Sequence, residues 1–215
     1  AAIPKGGMEA IPKQLSNKLK NTNIIFNSKV IDINKKQVFL DDKSVLQSDY
    51  TIIATEPSNL LKNINSCSWK SCDTIYFETE FRVIKSKLIG LISQHESLIN
   101  NIFYHTSLGV ETNPKKELLS VTVIDNQKLS INDLIKKVIQ ELKDYCKIDD
   151  ITFIKHYHIP KALPNVAKIQ YDIDYNTEMS EESIFLAGDQ QLNSSLNAAI
   201  LSGERAAMSV LDKLL

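Results

Sequence analysis

Apolar positions along this chain follow two rhythms, and the clearest change between them lies near the end. Ile184-Phe185-Leu186-Ala187 are four apolar residues in a row, with Ser183 before them and Gly188-Asp189 after. A short run of this kind predicts a buried strand, and Gly-Asp ends it with turn chemistry. From Leu196 the spacing becomes helical: Leu196, Ala199, Ile200, Gly203, Ala206, Ala207, Val210, Leu211 and Leu214 form one stripe expected to be buried. Ser194, Ser195 and Asn197 crowd the start, and either Ser194 or Ser195 serves as N-cap. Residues 182–214 thus predict strand, turn and helix, with the helix N-terminus offered to an anion or cofactor.

The same two rhythms divide the rest. Met8, Ile11, Leu15 and Leu19 predict a helix over 8–20, with Pro12 tolerated in its first turn. Residues 24–26 and 29–33 predict one strand kinked at Asn27-Ser28. Residues 37–40 predict another, turned at 41–43 so that Val45-Leu46 pairs back. Residues 50–54 predict a further buried strand, followed by a short helix over 58–61. Beyond it, β-branched and aromatic runs at 74–81, 87–93, 101–106 and 118–124 predict one antiparallel sheet. Ser130 with Asp133 forms a capping box for a helix marked by Ile131, Leu134, Ile135, Val138, Ile139 and Leu142. Residues 151–158 predict a strand, 160–164 a break and 166–175 irregular chain.

Two regions emerge. Residues 1–61 and 176–215 carry αβ elements, and 62–175 a sheet with helices, which implies a lobe inserted into a domain discontinuous in sequence. The expected class is α/β (α+β mixed).

Composition narrows the function. The 215 residues have 43% hydrophobic content, 24% charged content and net charge −1. That is an ordinary globular balance with no field drawing the chain to nucleic acid or anionic lipid. Three cysteines suit a reducing, cytoplasmic setting without a disulfide framework. No apolar run is long enough for a transmembrane segment. Ala1 is not an initiator Met, and the chain reads as a cut through something longer.

Candidate chemistry is sparse. Cys67 and Cys72 lack a second pair, and His156 and His158 share one face of a strand without an evident third ligand, so no metal site is expected. No nucleophile elbow and no Walker loop occur. Trp69, Tyr76, Phe77, Phe81, Phe103 and Tyr104 fall on the expected sheet. Most are expected in the core, and a few line a pocket for an apolar or ring-containing small molecule. The lysines at 18, 20, 115, 116, 136 and 137 are expected on solvated faces.

Three ordered segments carry a resemblance: Pro4 to Leu15 with Gly6-Gly7-Met8, Ile24 to Ile33 with the strands up to Thr55, and Phe185 to Gly203. They resemble the C-terminal part of flavin-containing amine oxidase-type proteins, the superfamily of monoamine and polyamine oxidases, protoporphyrinogen oxidase and phytoene desaturases. The resemblance implies a partial FAD-binding Rossmann-like domain and an inserted substrate domain built on an antiparallel β-sheet. It implies FAD as cofactor and oxidation of a C–H or C–N centre of a small-molecule substrate by hydride transfer.

It also implies roles. Val30 meets the adenine through its backbone. Asp189, after Gly188, accepts hydrogen bonds on the ribityl-phosphate side. Leu196, between Ser195 and Asn197 at the helix start, offers its N–H to the flavin ring. Gly6, Gly7 and Met8 lie toward the substrate or flavin. No catalytic residue is assigned. Ser194 and Ala198 stand where the family commonly has Gly. The Gly-x-Gly-x-x-Gly fingerprint is missing, which implies a fragment or one half of a split protein, partnered by an N-terminal FAD-binding half. The alternative is a non-catalytic binding or assembly module that keeps the fold without the cofactor. An in-frame fingerprint upstream favours the enzyme, and a start codon at Ala1 favours the module.

Overall fold

A computed structural model describes residues 3–62, 64, 66–109, 116–173, 179–181 and 183–215. Expectations that fall on residues 1–2, 115, 174–176 and 182 lie outside the described residues. The described chain forms two compact units, 1–49 and 50–215.

The first unit holds a short helix, α1 (Ala10–Ser16), and a meander of β1 (Val30–Ile33), β2 (Gln37–Leu40) and β3 (Val45–Gln47). The β2–β3 turn forms as its residues dictate. Asp42 accepts from Ser44 N at 2.8 Å and Ser44 Oγ at 2.6 Å, and Lys43 takes φ +72°. Two expectations are corrected. The helix is shorter than 8–20: it buries no residue, has no side-chain N-cap, and Pro12 withholds an N–H. Residues 24–26 are not a strand; Ile24, Ile25 and Phe26 are exposed, and the left-handed Asn27 (φ +55°) breaks the run before Val30.

In the second unit, β4 (Thr51–Ile53) pairs parallel with β11 (Ile184–Leu186), and β10 (Met179–Glu181) pairs antiparallel on the other side of β11. β4 and β11 are far apart in sequence, so their parallel pairing brings two remote segments into one sheet. A second sheet is antiparallel, in order β6 (Gly90–Leu91), β7 (Ile99–Tyr104), β8 (Glu117–Val123), β5 (Trp69–Thr79), β9 (Ile151–Pro164). Alternation places Ile75, Phe77, Leu119, Val121, Val123, Ile102 and Tyr104 on one face, against Leu134, Val138 and Leu142 of α2 (Ile131–Cys146). Ser130 caps α2 through Asp133 N at 3.2 Å, as its capping box predicts. Glu141, on the same helix, accepts from Ser97 Oγ at 2.6 Å and from Leu98 N at 3.0 Å, fastening α2 to the start of β7.

Several expectations for this unit change. Residues 160–164 do not break the chain: β9 continues to Pro164, paired with Trp69. It is an edge strand, so prolines whose nitrogen faces solvent cost no ladder bond, and bulges absorb the register shifts. Residues 87–93 yield only β6, on the opposite edge, with Leu88 and Ile89 exposed. β7 ends at Tyr104, and His105–Leu108 coil into a 3-10 turn closed by Gly109 at φ +74°. The expected helix over 58–61 is a single 3-10 turn, Pro57–Asn59. Of the six sheet aromatics only Phe77 and Tyr104 are buried; Phe81 is 62% exposed.

Candidate functional site

The C-terminal strand, turn and helix form, but the helix buries Ala198, Ser202, Ala206 and Ser209 and leaves Leu196, Ile200, Leu211 and Leu214 of the expected stripe exposed. Ile184 and Phe185 are buried at 1% exposure each, and α3 (Leu196–Leu214) follows. Because β4 and β11 are parallel, their C-terminal ends open on the same side; Ala187 N donates to Ile53 O at 2.9 Å. The space beyond the carboxyl ends of parallel strands is where such sheets take ligands.

Gly188 makes the turn. Its φ of +138° is a glycine conformation, and a Cβ there would lie 2.2 Å from the Gln190 side chain. Its N–H donates to Ser202 Oγ at 2.8 Å, and Ser202 Oγ donates to Ala199 O at 3.0 Å, so the turn is tied to the helix. Asp189 opens the 3-10 turn Asp189–Gln191, and its carbonyl accepts from Leu192 N at 3.1 Å and Ser194 N at 3.2 Å. The Asp189 carboxylate is half-buried and has no partner among the described residues.

Of the two candidate caps, Ser195 is the one used: its Oγ accepts from Ala198 N at 3.1 Å and donates to Asn193 Oδ1 at 2.6 Å. The N–H groups of Leu196 and Asn197 have no partner among the described residues, and both residues are exposed. They are the unsatisfied donors at the positive end of a 19-residue helix. Ser194 adopts φ +49°, a backbone position that favours glycine, and its Oγ donates to Pro164 O at 2.5 Å.

The structure therefore brings together Gly188, Asp189, Ser195, Leu196 and Asn197. Val30 lies in the first unit, half-buried and opposite Leu40. Gly6, Gly7 and Met8 also lie there, exposed, with Gly7 at φ +77°. The free donors, the glycine turn and the unpaired half-buried carboxylate fit a flavin nucleotide: donors suit its electron-rich ring edge and phosphates, and a carboxylate suits its hydroxyl groups.

Sequence reasoning missed two charged clusters. Glu56, just beyond β4, pairs with Lys161 of β9, whose Nζ lies 5.5 Å over the Trp69 ring. The Lys161 ammonium holds the Glu56 carboxyl below the usual carboxylate range. Asp73, 3% exposed, faces His156 Nε2 at 2.7 Å and His158 Nδ1 at 3.1 Å, and accepts from Asn126 Nδ2 at 3.0 Å. The His-x-His spacing was a visible signal, but Asp73 joins it only through strand pairing. Among the described residues no group of side chains is arranged to hold a metal.

Comparison with known proteins identifies the family and the fold. The sequence profile of flavin-containing amine oxidoreductases matches residues 1–211. No curated protein sequence matches the chain. An oxidoreductase from Methanosarcina mazei is similar in structure at TM-score 0.74 and 15% identity, over 98% of this chain and 55% of its own. A protein from Exiguobacterium sp. 255-15 assigned as a protoporphyrinogen oxidase is similar at TM-score 0.69 and 15% identity, over 97% of this chain and 51% of its own. Reduced UDP-galactopyranose mutase is similar at TM-score 0.72 and 16% identity, over 98% of this chain and 52% of its own. The chain thus spans about half the length of these structures. With the profile matched almost end to end, the chain belongs to the flavin-containing amine oxidoreductase family, whose cofactor is FAD.

Proposed function

We propose that this chain is the C-terminal part of an FAD-dependent oxidoreductase, joined in function to an N-terminal half that supplies the rest of the flavin site. Residues 1–61 and 176–215 are its share of the FAD-binding domain, and 62–175 its substrate domain. The observation that carries this reading is the turn from Gly188 into α3, which leaves the Leu196 and Asn197 N–H groups and the Asp189 carboxylate free together.

When bound, FAD supplies the two-electron oxidation of a substrate C–H or C–N centre. The chain's own residues bind and orient. Leu196 and Asn197 donate from the helix end, where about half a positive charge favours an electron-rich partner. Asp189 accepts from hydroxyl groups. Gly188 makes the turn possible, since its φ of +138° strains any residue with a side chain. Val30 offers backbone groups to the adenine, and Gly6, Gly7 and Met8 lie toward the substrate or flavin.

The Ser194 backbone supports this reading over a module that has lost its cofactor. Serine here takes the glycine-type conformation with φ +49°. A serine here therefore takes the same conformation that a glycine would favour.

Flavin titration of the complete protein tests the proposal. Asp189→Ala is expected to weaken flavin binding at least about tenfold, the effect of losing hydrogen bonds to a charged group. Unchanged affinity in that variant would overturn the assignment of Asp189.

A further inference from the structure

Outside the strand-turn-helix, the side chains that converge most lie on the five-stranded sheet, on the face turned away from α2. Tyr76 of β5, Ser120 of β8 and Phe103 of β7 stand in one cross-strand row. Ser120 is small, and the His105 imidazole packs over it between the two rings. Its Nε2 is 3.0 Å from Ser120 Oγ, and its ring centre is 5.7 Å from Tyr76 and 5.1 Å from Phe103. Tyr157 of β9, opposite Thr74 and so diagonal to Tyr76, stands edge-on to the Tyr76 ring at 6.0 Å. Lys155, opposite Tyr76, holds its Nζ 5.9 Å from the Tyr157 ring centre.

This cluster is neither a second core nor a solvated face. Tyr76, Phe103, His105 and Ser120 are half-buried, and Tyr157 is 51% exposed. A core would bring apolar partners, whereas here the rings of Tyr76, Phe103 and Tyr157 meet hydroxyl and imidazole groups, the mixture that binds small molecules. The polar end has a defined sense. Ser120 Oγ donates to Phe103 O at 3.3 Å, so His105 Nε2–H donates to Ser120 and Nδ1 keeps its lone pair. Nδ1 has no partner among the described residues. Burial lowers the His105 pKa from its ordinary value, which keeps the imidazole neutral and accepting.

We propose that this ring cluster is where the substrate's own ring is held, and that it selects an aromatic compound whose O–H or N–H donor reaches His105. The inference deepens the oxidoreductase reading and rests on it for calling the ligand a substrate. Edge-to-face contact with Tyr76 and Phe103 favours an aromatic ring over a saturated one. Lys155 at the rim favours a neutral or anionic ring over an ammonium-bearing one.

The test titrates 4-hydroxybenzoate, benzoate and cyclohexanecarboxylate into the complete protein, this chain joined to the N-terminal half of its fold, each to about 10 mM, a range suited to small fragments. Binding is followed on the Tyr157 ring resonances. Saturable displacement by 4-hydroxybenzoate is expected, about fivefold tighter than benzoate, as one net hydrogen bond contributes. Cyclohexanecarboxylate should bind more weakly than benzoate. His105→Phe should abolish the fivefold preference, and Tyr76→Leu should weaken both aromatic probes about threefold or more. No saturable displacement, equal response to all three probes, or unchanged behaviour in both variants would overturn the proposal. Flavin titration of the same samples separates the two readings. Flavin binding without a response to 4-hydroxybenzoate overturns the ring site alone; the reverse overturns the flavin reading and leaves the ring site standing.

Discussion

Ser194 holds a left-handed backbone conformation that favours glycine. A left-handed conformation costs a non-glycine residue about 1–2 kcal/mol. The hydrogen bond from its Oγ to Pro164 O offsets about 1 kcal/mol of that. Ser194→Gly should therefore leave stability within about 1 kcal/mol of wild type, because relief and loss nearly cancel. Ser194→Ala keeps the unfavourable backbone and loses the bond, so its denaturation midpoint should fall below that of the glycine variant. His105 carries a pH prediction. Its folded pKa lies below the unfolded value of about 6.5, so the unfolded state binds more protons as pH falls. Its contribution is intact above about pH 6.5 and is lost as pH drops toward the folded value. Melting temperature should accordingly decline more steeply from about pH 7 to 5 in wild type than in His105→Gln. Equal slopes would contradict a half-buried imidazole whose pKa burial lowers.

At the scale of elements, period was legible and facing was not. The α3 stripe was expected to bury Leu196, Ile200, Leu211 and Leu214, yet these are exposed. The buried face is Ala198, Ser202, Ala206 and Ser209, where small residues let the helix lie close on Phe185 and Ala187 of the β11 segment. A mixed small and apolar helix fits two faces to the same period, and only packing chooses between them. α2 had no such ambiguity. Its large residues occupy a single face, and its capping box marks the start. Leu142→Ala, at 0% exposure in that core, should cost about 2–5 kcal/mol in chemical denaturation. A loss below about 0.5 kcal/mol, the range of surface changes, would mean α2 does not close the sheet. The continuation of β9 through Pro160 was hidden for a different reason. Proline breaks a central strand but not an edge, and edge position depends on pairing that local sequence does not reveal.

At the scale of the whole molecule, the family was legible from three ordered segments, and the glycine turn with its helix cap formed where they indicated. What was not legible came from long-range pairing. Asp73 meets His156 and His158 across two strands, and His105, at the end of β7, meets Tyr76 of β5 across the intervening β8. Fold alone does not fix chemistry: similar structures include an oxidoreductase and a mutase. The central claim is therefore about the cofactor. Its most direct test is the visible absorption spectrum of this chain combined with the N-terminal half of its fold and saturated with FAD, after removal of free flavin. The account predicts retained flavin absorbance near one equivalent, reduced in Asp189→Ala. A combined protein that retains no flavin absorbance would contradict it.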